Sequence, residues 1–319
     1  MKQLVRVAVF AIVSILMFSS CGGQESITAD EATADTQAPV IEEPSDDNKL
    51  VTLEADEEVP EGPQSIVSLS PTATEMLFAI GAGSQVVAVD NYSYYPKEAP
   101  VIEDLSAWSP NIEAIAEFEP DLVVLSDAGV QEELESLGIE VLVLPAVTNL
   151  GGVYEQIAEL GVATANVDGA GVLVASMRAE ISLIIDNIVT PEKPLTYFHE
   201  LDDTLYSITS GTFIGQIYEM VGLSNIADPA DADGSAYGYP QLTQEFILES
   251  DPDLIFFVDA SCCGQSVEII GERPGWDVLK AVRNGTVIEM DADIASRWGP
   301  RLVQFLQSLS DAVALVPAG

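Results

Sequence analysis

Three kinds of side chain in this 319-residue sequence could act on another molecule: a single histidine, two neighbouring cysteines and a few aromatics in loop-like surroundings. His199 follows the apolar run Leu195–Phe198 and precedes Glu200 and Asp202. It reads as a loop histidine satisfied by its neighbours, with axial ligation of a chelated metal as the alternative. Serine hydrolysis would need His199 as its base and a Gly-x-Ser-x-Gly elbow, which the sequence lacks. Gly81-Ala-Gly83 is too short for a dinucleotide fingerprint and follows a helix pattern instead of a strand. Zinc and manganese sites draw on several histidines with carboxylates, and one histidine cannot supply that set. No resident metal or catalytic group is therefore expected, and capture of a ligand outranks a secreted hydrolase. Cys262 and Cys263 follow a strand pattern, Leu254–Val258, on what reads as a loop. Two free thiols, a vicinal disulfide and ligation of a soft metal all remain open for them.

The aromatics offer contact area more than chemistry. Trp108 is flanked by Ser106, Ala107, Ser109 and Pro110, a loop context that favours a ligand-facing ring. Trp276 follows Arg273-Pro-Gly in an expected structural turn and reads as core. Tyr206, in Thr-Leu-Tyr-Ser ahead of Ser210-Gly211, is expected to face a cleft.

The elements that must position these residues follow one plan twice. Ile66–Leu69 reads as a short buried strand, Ser70-Pro71-Thr72 as a helix start and Gly81 as its stop. Further strands fall at 86–89, 121–125 and 141–144, with Asn111 capping a helix that ends before Pro120. In the second half come a strand at 195–198, helices at 213–221 and 244–250, and a strand at 252–257. Glu113 stands seven residues before Pro120-Asp-Leu, and Glu245 stands seven before Pro252-Asp-Leu. With matching elements around it, that spacing marks a duplicated unit. Between the halves, apolar residues at 173, 177, 181, 184, 185 and 188 keep helical spacing. The expected architecture is α/β: two Rossmann-like lobes with mostly parallel sheets, joined by one long backbone helix. A ligand would sit beyond the carboxyl ends of the strands.

Charge and termini bound the setting. With 11 Lys+Arg against 52 Asp+Glu, the net charge of −41 disfavours nucleic acid and anionic membrane surfaces as partners. Lys2 and Arg6 precede an apolar run, Val7–Phe18, that is too short to span a bilayer and reads as the core of an export signal. Ser19-Ser20-Cys21 resembles the lipobox of bacterial lipoproteins, which implies a lipid attached to Cys21. The expected divisions are a signal peptide at 1–20, an acidic disordered tether at 21–62, an N-terminal lobe at 63–166, an interlobe helix at 167–190 and a C-terminal lobe at 191–319.

Four stretches carry a wider resemblance: Ile66-Val-Ser-Leu-Ser-Pro-Thr-Ala-Thr-Glu75, Asn91-Tyr-Ser-Tyr-Tyr-Pro96, Pro120-Asp-Leu-Val, and Arg273-Pro-Gly-Trp276 through Gly299-Pro-Arg301. Over residues 63–316 the chain resembles the class III binding proteins that serve vitamin B12, ferric siderophore and haem importers, the cobalamin binders most of all. The resemblance implies an extracytoplasmic monomer with no cofactor of its own, anchored to the membrane by lipid. It would carry cobalamin, a ferric siderophore or haem to an ABC permease and its ATPase. A surface lipoprotein that senses the ligand without transport is the alternative. By the same resemblance, Glu113 and Glu245 dock on permease arginines, and Tyr92, Trp108 and Tyr239 line the cleft. Asp293 and Arg297 form a polar pair at its edge.

Overall fold

The computed structural model describes residues 62–188 and 193–317. The export signal, Cys21 and nearly all of the expected tether lie outside the described residues, as do positions 189 and 190 of the expected interlobe helix.

The first half runs β1 (Ile66–Leu69), α1 (Pro71–Ala79), β2 (Val86–Val89), α2 (Ile112–Ala116), β3 (Leu122–Leu125), α3 (Gln131–Ser136), β4 (Glu140–Val143) and α4 (Leu150–Ala163). Helix α5 (Val167–Asp186) follows. The second half runs β5 (Thr196–Glu200), α6 (Phe213–Met220), β6 (Ser224–Asn225), α7 (Gln244–Ser250), β7 (Leu254–Phe257), α8 (Ala260–Cys263), α9 (Val267–Gly271) and α10 (Lys280–Asn284). It ends with β8 (Val287–Glu289), α11 (Ala292–Ser296) and α12 (Leu302–Leu315).

Each half builds one four-stranded parallel sheet, in the orders β2-β1-β3-β4 and β6-β5-β7-β8. The two orders are the same path walked twice. Strands β1, β3 and β7 are buried along their whole length, so Ile-Val-Ser-Leu, Leu-Val-Val-Leu and Leu-Ile-Phe-Phe are near-continuous apolar runs, as a sheet covered on both faces requires.

The repeated Pro-Asp-Leu has one structural job in both halves. The Asp121 carboxylate accepts from the backbone N–H groups of Gln64 and Ser65, at 2.8 and 3.1 Å, where β1 begins. Asp253 accepts from the Thr196 N–H and hydroxyl, at 2.9 and 3.0 Å, at the start of β5. Glu119 and Asp251 ahead of these motifs both adopt positive φ, at 47° and 44°. Asn111 and Thr243 cap the preceding helices α2 and α7 through their side-chain oxygens.

Ser70 caps α1 by accepting from the Ala73 N–H, with Pro71 just inside the helix, and Gly81 at φ 93° ends that turn. Helix α5 begins ahead of its apolar stripe. Its Gly169 lies so close to the α1 end that a Cβ there would stand 2.0 Å from the Ile80 carbonyl oxygen. At about 1.5 Å per residue, α5 is a rod of roughly 30 Å.

Both sheets fall within a single compact unit, and their cores are not sealed from each other. Leu150, Phe213 and Val303 pack against the core around β1 and also against the core around β5.

Few carboxylates find a base. Among the described residues only Glu75, Glu200, Asp251, Asp253 and Asp293 form ion pairs. The remaining negative charge repels itself over the folded surface. Raising NaCl from about 0.01 M to 1 M, which shortens the Debye length from about 30 to about 3 Å, is expected to raise the thermal midpoint. A gain on the order of 1 kcal/mol moves it by about 2–4 °C in a domain of this size; a flat or falling midpoint in a salt series would rule the repulsion out.

Candidate functional site

The loops leaving the carboxyl ends of β2, β5 and β6 carry the aromatic residues. After β2, the buried Asp90 carboxylate accepts from the Tyr92 N–H at 2.8 Å and the Ser93 hydroxyl at 2.6 Å, folding Asn91–Pro96 into a fixed turn. Burial raises the Asp90 pKa, opposed by those hydrogen bonds. The Asn91 N–H donates to the Leu105 carbonyl, which brings the Tyr92 segment alongside the one that leads to Trp108. Tyr92 and Trp108 are both exposed, Trp108 at 87%.

After β5, Tyr206 pairs with Gln241 across an isolated antiparallel bridge, so Tyr206 and Tyr239 stand on adjoining segments. Asp231 fixes the second segment by accepting from the N–H groups of Ala236 and Gly238, both at 2.7 Å. Tyr206 and Tyr239 are exposed. Each lobe therefore presents a pair of solvent-facing rings beyond the carboxyl ends of its sheet.

Three residues of this surface were not singled out from sequence. Tyr94 and Tyr95 lie in the same turn as Tyr92; Tyr237, 89% exposed at φ 53°, lies beside Tyr239. The Tyr94 hydroxyl donates to Asp293 at 2.5 Å, which raises the tyrosine pKa and joins a first-half loop to α11. An open depression of about 410 Å3 is lined by Tyr94 together with Ala260, Ser261, Met290 and Asp293. Glu289 and Asp291 also line it and make its floor acidic.

Behind the rings is a buried ion cluster. Glu75 on α1 is 3% exposed and accepts from Arg297 at 2.9 Å and from Arg301 at 2.9 and 2.6 Å. Arg297 also donates to Asp293 at 2.8 Å and to the Tyr92 carbonyl at 3.1 Å. The Arg301 guanidinium lies 4.2 Å from the Tyr95 ring centroid. Arg297 is thus no free donor at the cleft edge. It is buried because a carboxylate of the other lobe claims it, and Asp293 remains as the accessible member of that pair. Glu75 could have been suspected from sequence as a charge inside an otherwise apolar helix. Two further contacts cross the same seam: Trp298 Nε1 to Gln156 at 3.1 Å and Gln216 to the Thr148 carbonyl at 2.8 Å.

His199 is satisfied by a neighbour, as expected, but its loop placement is corrected. Strand β5 continues through it, so it is a buried strand residue 1% exposed, with Nδ1 2.7 Å from the Tyr218 hydroxyl. Burial pushes its pKa down to about 3, so the ring is neutral in ordinary buffers, and it has no route to a ligand. Trp276 is buried, with Arg273 4.7 Å from its ring centroid. Cys262 and Cys263 end the short helix α8, not a plain loop, and their sulfurs pair as a vicinal disulfide. Glu113 and Glu245 are exposed in the first turns of α2 and α7. Among the described residues no three His, Cys, Asp or Glu side chains are grouped to hold a metal.

Two similar lobes, each with exposed rings beyond the carboxyl ends of its sheet and joined by a packed seam, make the architecture of a protein that captures a ligand. The chain belongs to the periplasmic binding protein family, whose sequence pattern matches residues 66–294. It is a binding protein, not an enzyme. It is 26% identical to the ABC transporter substrate-binding lipoprotein YvrC of Bacillus subtilis, over 98% of both chains. A cobalamin-binding protein of Halobacterium salinarum is 31% identical over 85% of this chain and 73% of that one. In three dimensions the vitamin B12-binding protein BtuF of Vibrio cholerae superposes with a TM-score of 0.64, at 26% identity, over 80% of this chain and 98% of that one.

Removing a buried carboxylate that holds two guanidinium groups leaves both charges unpaired. Glu75→Ala is expected to lower stability by about 3–5 kcal/mol in chemical denaturation, far more than Glu113→Ala on the surface. Equal losses from the two variants would dismiss the cluster as the tie between the lobes.

Proposed function

We propose that the chain is the lipid-anchored substrate-binding protein of an ABC importer, and that it carries an uncharged, amide-rimmed metal chelate of the cobalamin type. One observation carries the ligand class: exposed rings on both lobes stand beside basic groups that are already engaged. Arg297 and Arg301 are tied to Glu75, and Arg273 is tied to Glu200. Lys97, in the turn beyond Tyr95, forms no ion pair among the described residues. Haem brings two carboxylates and an anionic siderophore brings more; both would meet the acidic lining at Glu289, Asp291 and Asp293, with Lys97 as the one unpaired cation of the tyrosine-bearing turn. A flat ring edged with neutral amides asks only for aromatic faces and hydrogen-bond acceptors, which Tyr92, Trp108, Tyr206, Tyr239 and Asp293 offer. The cobalamin-binding relative of Halobacterium salinarum supports the same ligand class. Asp293 would accept from a peripheral amide.

Glu113 and Glu245 are the permease contacts. They occupy equivalent first-turn positions of α2 and α7 in the repeat, so the chain offers two matched carboxylates to arginines of a paired permease. Cys21 carries the lipid, a reading supported by the lipoprotein name of the Bacillus subtilis relative, and the mature protein acts as an extracytoplasmic monomer. The ATPase of the complex drives delivery; this chain only captures and docks.

Cyanocobalamin is expected to bind one per chain and to quench tryptophan emission, because Trp108 is the tryptophan on the exposed aromatic surface. Trp108→Phe should keep the affinity within a few-fold and lose most of the quenching, while Trp108→Ala should weaken binding about tenfold, roughly 1.4 kcal/mol. Tight binding of haem or a ferric hydroxamate, with none of cyanocobalamin, would refute the ligand class. Separately, Glu113→Ala with Glu245→Ala should abolish uptake in cells and leave cyanocobalamin affinity unchanged. Normal uptake by that double variant would remove the docking assignment.

A further inference from the structure

The vicinal disulfide adjoins the proposed ligand surface. Ala260 and Ser261, the first two residues of α8, line the depression that Tyr94 and Asp293 also line. Cys262 and Cys263 complete the same short helix, and residues 261–264 are exposed. The disulfide therefore stands at the rim of the opening.

What holds that rim is unusual. A four-residue helix cannot sustain itself, because nucleation fixes several residues for a single hydrogen bond. Asp259 occupies the N-cap position, but its side chain makes no capping bond; both carboxyl oxygens are buried without a partner. Burial raises the pKa of that carboxyl. Two features remain. Arg273 makes a bidentate pair with Glu200, both bonds at 2.6 Å, and donates to Gln265 at 3.0 Å, pinning the chain just after α8. The Cys262–Cys263 bond fixes the last turn itself.

Resting on the ligand reading above, we propose that the Cys262–Cys263 disulfide is a redox-controlled wall of the ligand cleft, which holds α8 against the ligand when oxidised and releases it when reduced. The reductant is a thiol or dithiol donor. Its thiolate attacks one Sγ, the S–S bond breaks, and the other sulfur leaves as a thiolate that takes up a proton. A second donor thiol then resolves the mixed disulfide, leaving two cysteine thiols here and one disulfide in the donor. Because the bond joins neighbours it closes almost no loop, so it constrains the unfolded chain little and acts locally. Affinity and local order, more than global stability, are the quantities it controls.

The test uses the mature protein before and after reduction with dithiothreitol, which is removed by desalting without air. Iodoacetamide tagging of the peptide containing both cysteines should give no tags before reduction and two after it. Affinity for cyanocobalamin should fall about tenfold on reduction, roughly 1.4 kcal/mol, and return on reoxidation. Cys262→Ser with Cys263→Ser should stay at the weaker value in both conditions, with a thermal midpoint within about 2 °C of the parent. Amide exchange at residues 259–266 should quicken in the reduced protein. Two tags before reduction, or equal affinity in all forms, would overturn the proposal. If the oxidised protein ignores cyanocobalamin, the ligand reading fails instead. Exchange at 259–266 then still decides the wall: faster after reduction supports it, unchanged refutes it.

Discussion

A single buried carboxylate, Glu75, sets how the two halves can move. It sits on the first helix of one lobe and is gripped by two arginines from the end of the other. A charge in such a place is tolerated only when every oxygen is met, and here three hydrogen bonds meet it. Around the cluster, Leu150, Phe213 and Val303 belong to both cores, and Gln156–Trp298 and Thr148–Gln216 add polar ties. Opening the lobes widely would expose this seam and strand its charges. The fold therefore favours a preset slot over a broad hinge motion, with α5 as a secondary strut.

The same cluster fixes the loop that bears the exposed tyrosines. Arg297 reaches from Glu75 to the Tyr92 carbonyl and to Asp293, and Arg301 lies over Tyr95. The loop that bears the exposed tyrosines is thus held from beneath by the residues that join the lobes. Large rings on a pre-organised loop lose little entropy when a ligand settles on them. Seam and slot are one construction.

Electrostatics complete the division of labour. The chain has few bases, and those nearest the cleft serve structure: Arg273 for the second lobe's loops, Arg297 and Arg301 for the seam. What remains at the surface is mostly carboxylate, which repels anions. The proposed preference for an uncharged chelate rests on what this surface lacks as much as on what it offers.

The duplicated α/β plan was legible because its causes are local. Apolar runs, Ser70-Pro71, Asn111 and the twice-used Pro-Asp-Leu act within a few residues, and Asp121 and Asp253 cap the neighbouring strands where the repeat predicts equivalence. Trp276 in the core was also legible, since Arg-Pro-Gly marks a turn. The end of β5 was not legible at His199, because it is set by pairing with β7 and no local pattern extends the strand through a histidine and a glutamate. The pairing of Arg297 with Asp293 was legible, but its burial was not: its other partner Glu75 is 222 residues away, and only packing of the lobes brings the two together. Sequence by itself determined which segments become strands and helices, because hydrogen bonding and periodicity are short-ranged. Tertiary structure alone decided which charges are buried, which rings stay bare and which cysteines meet the cleft, because burial depends on what arrives from the far half of the chain.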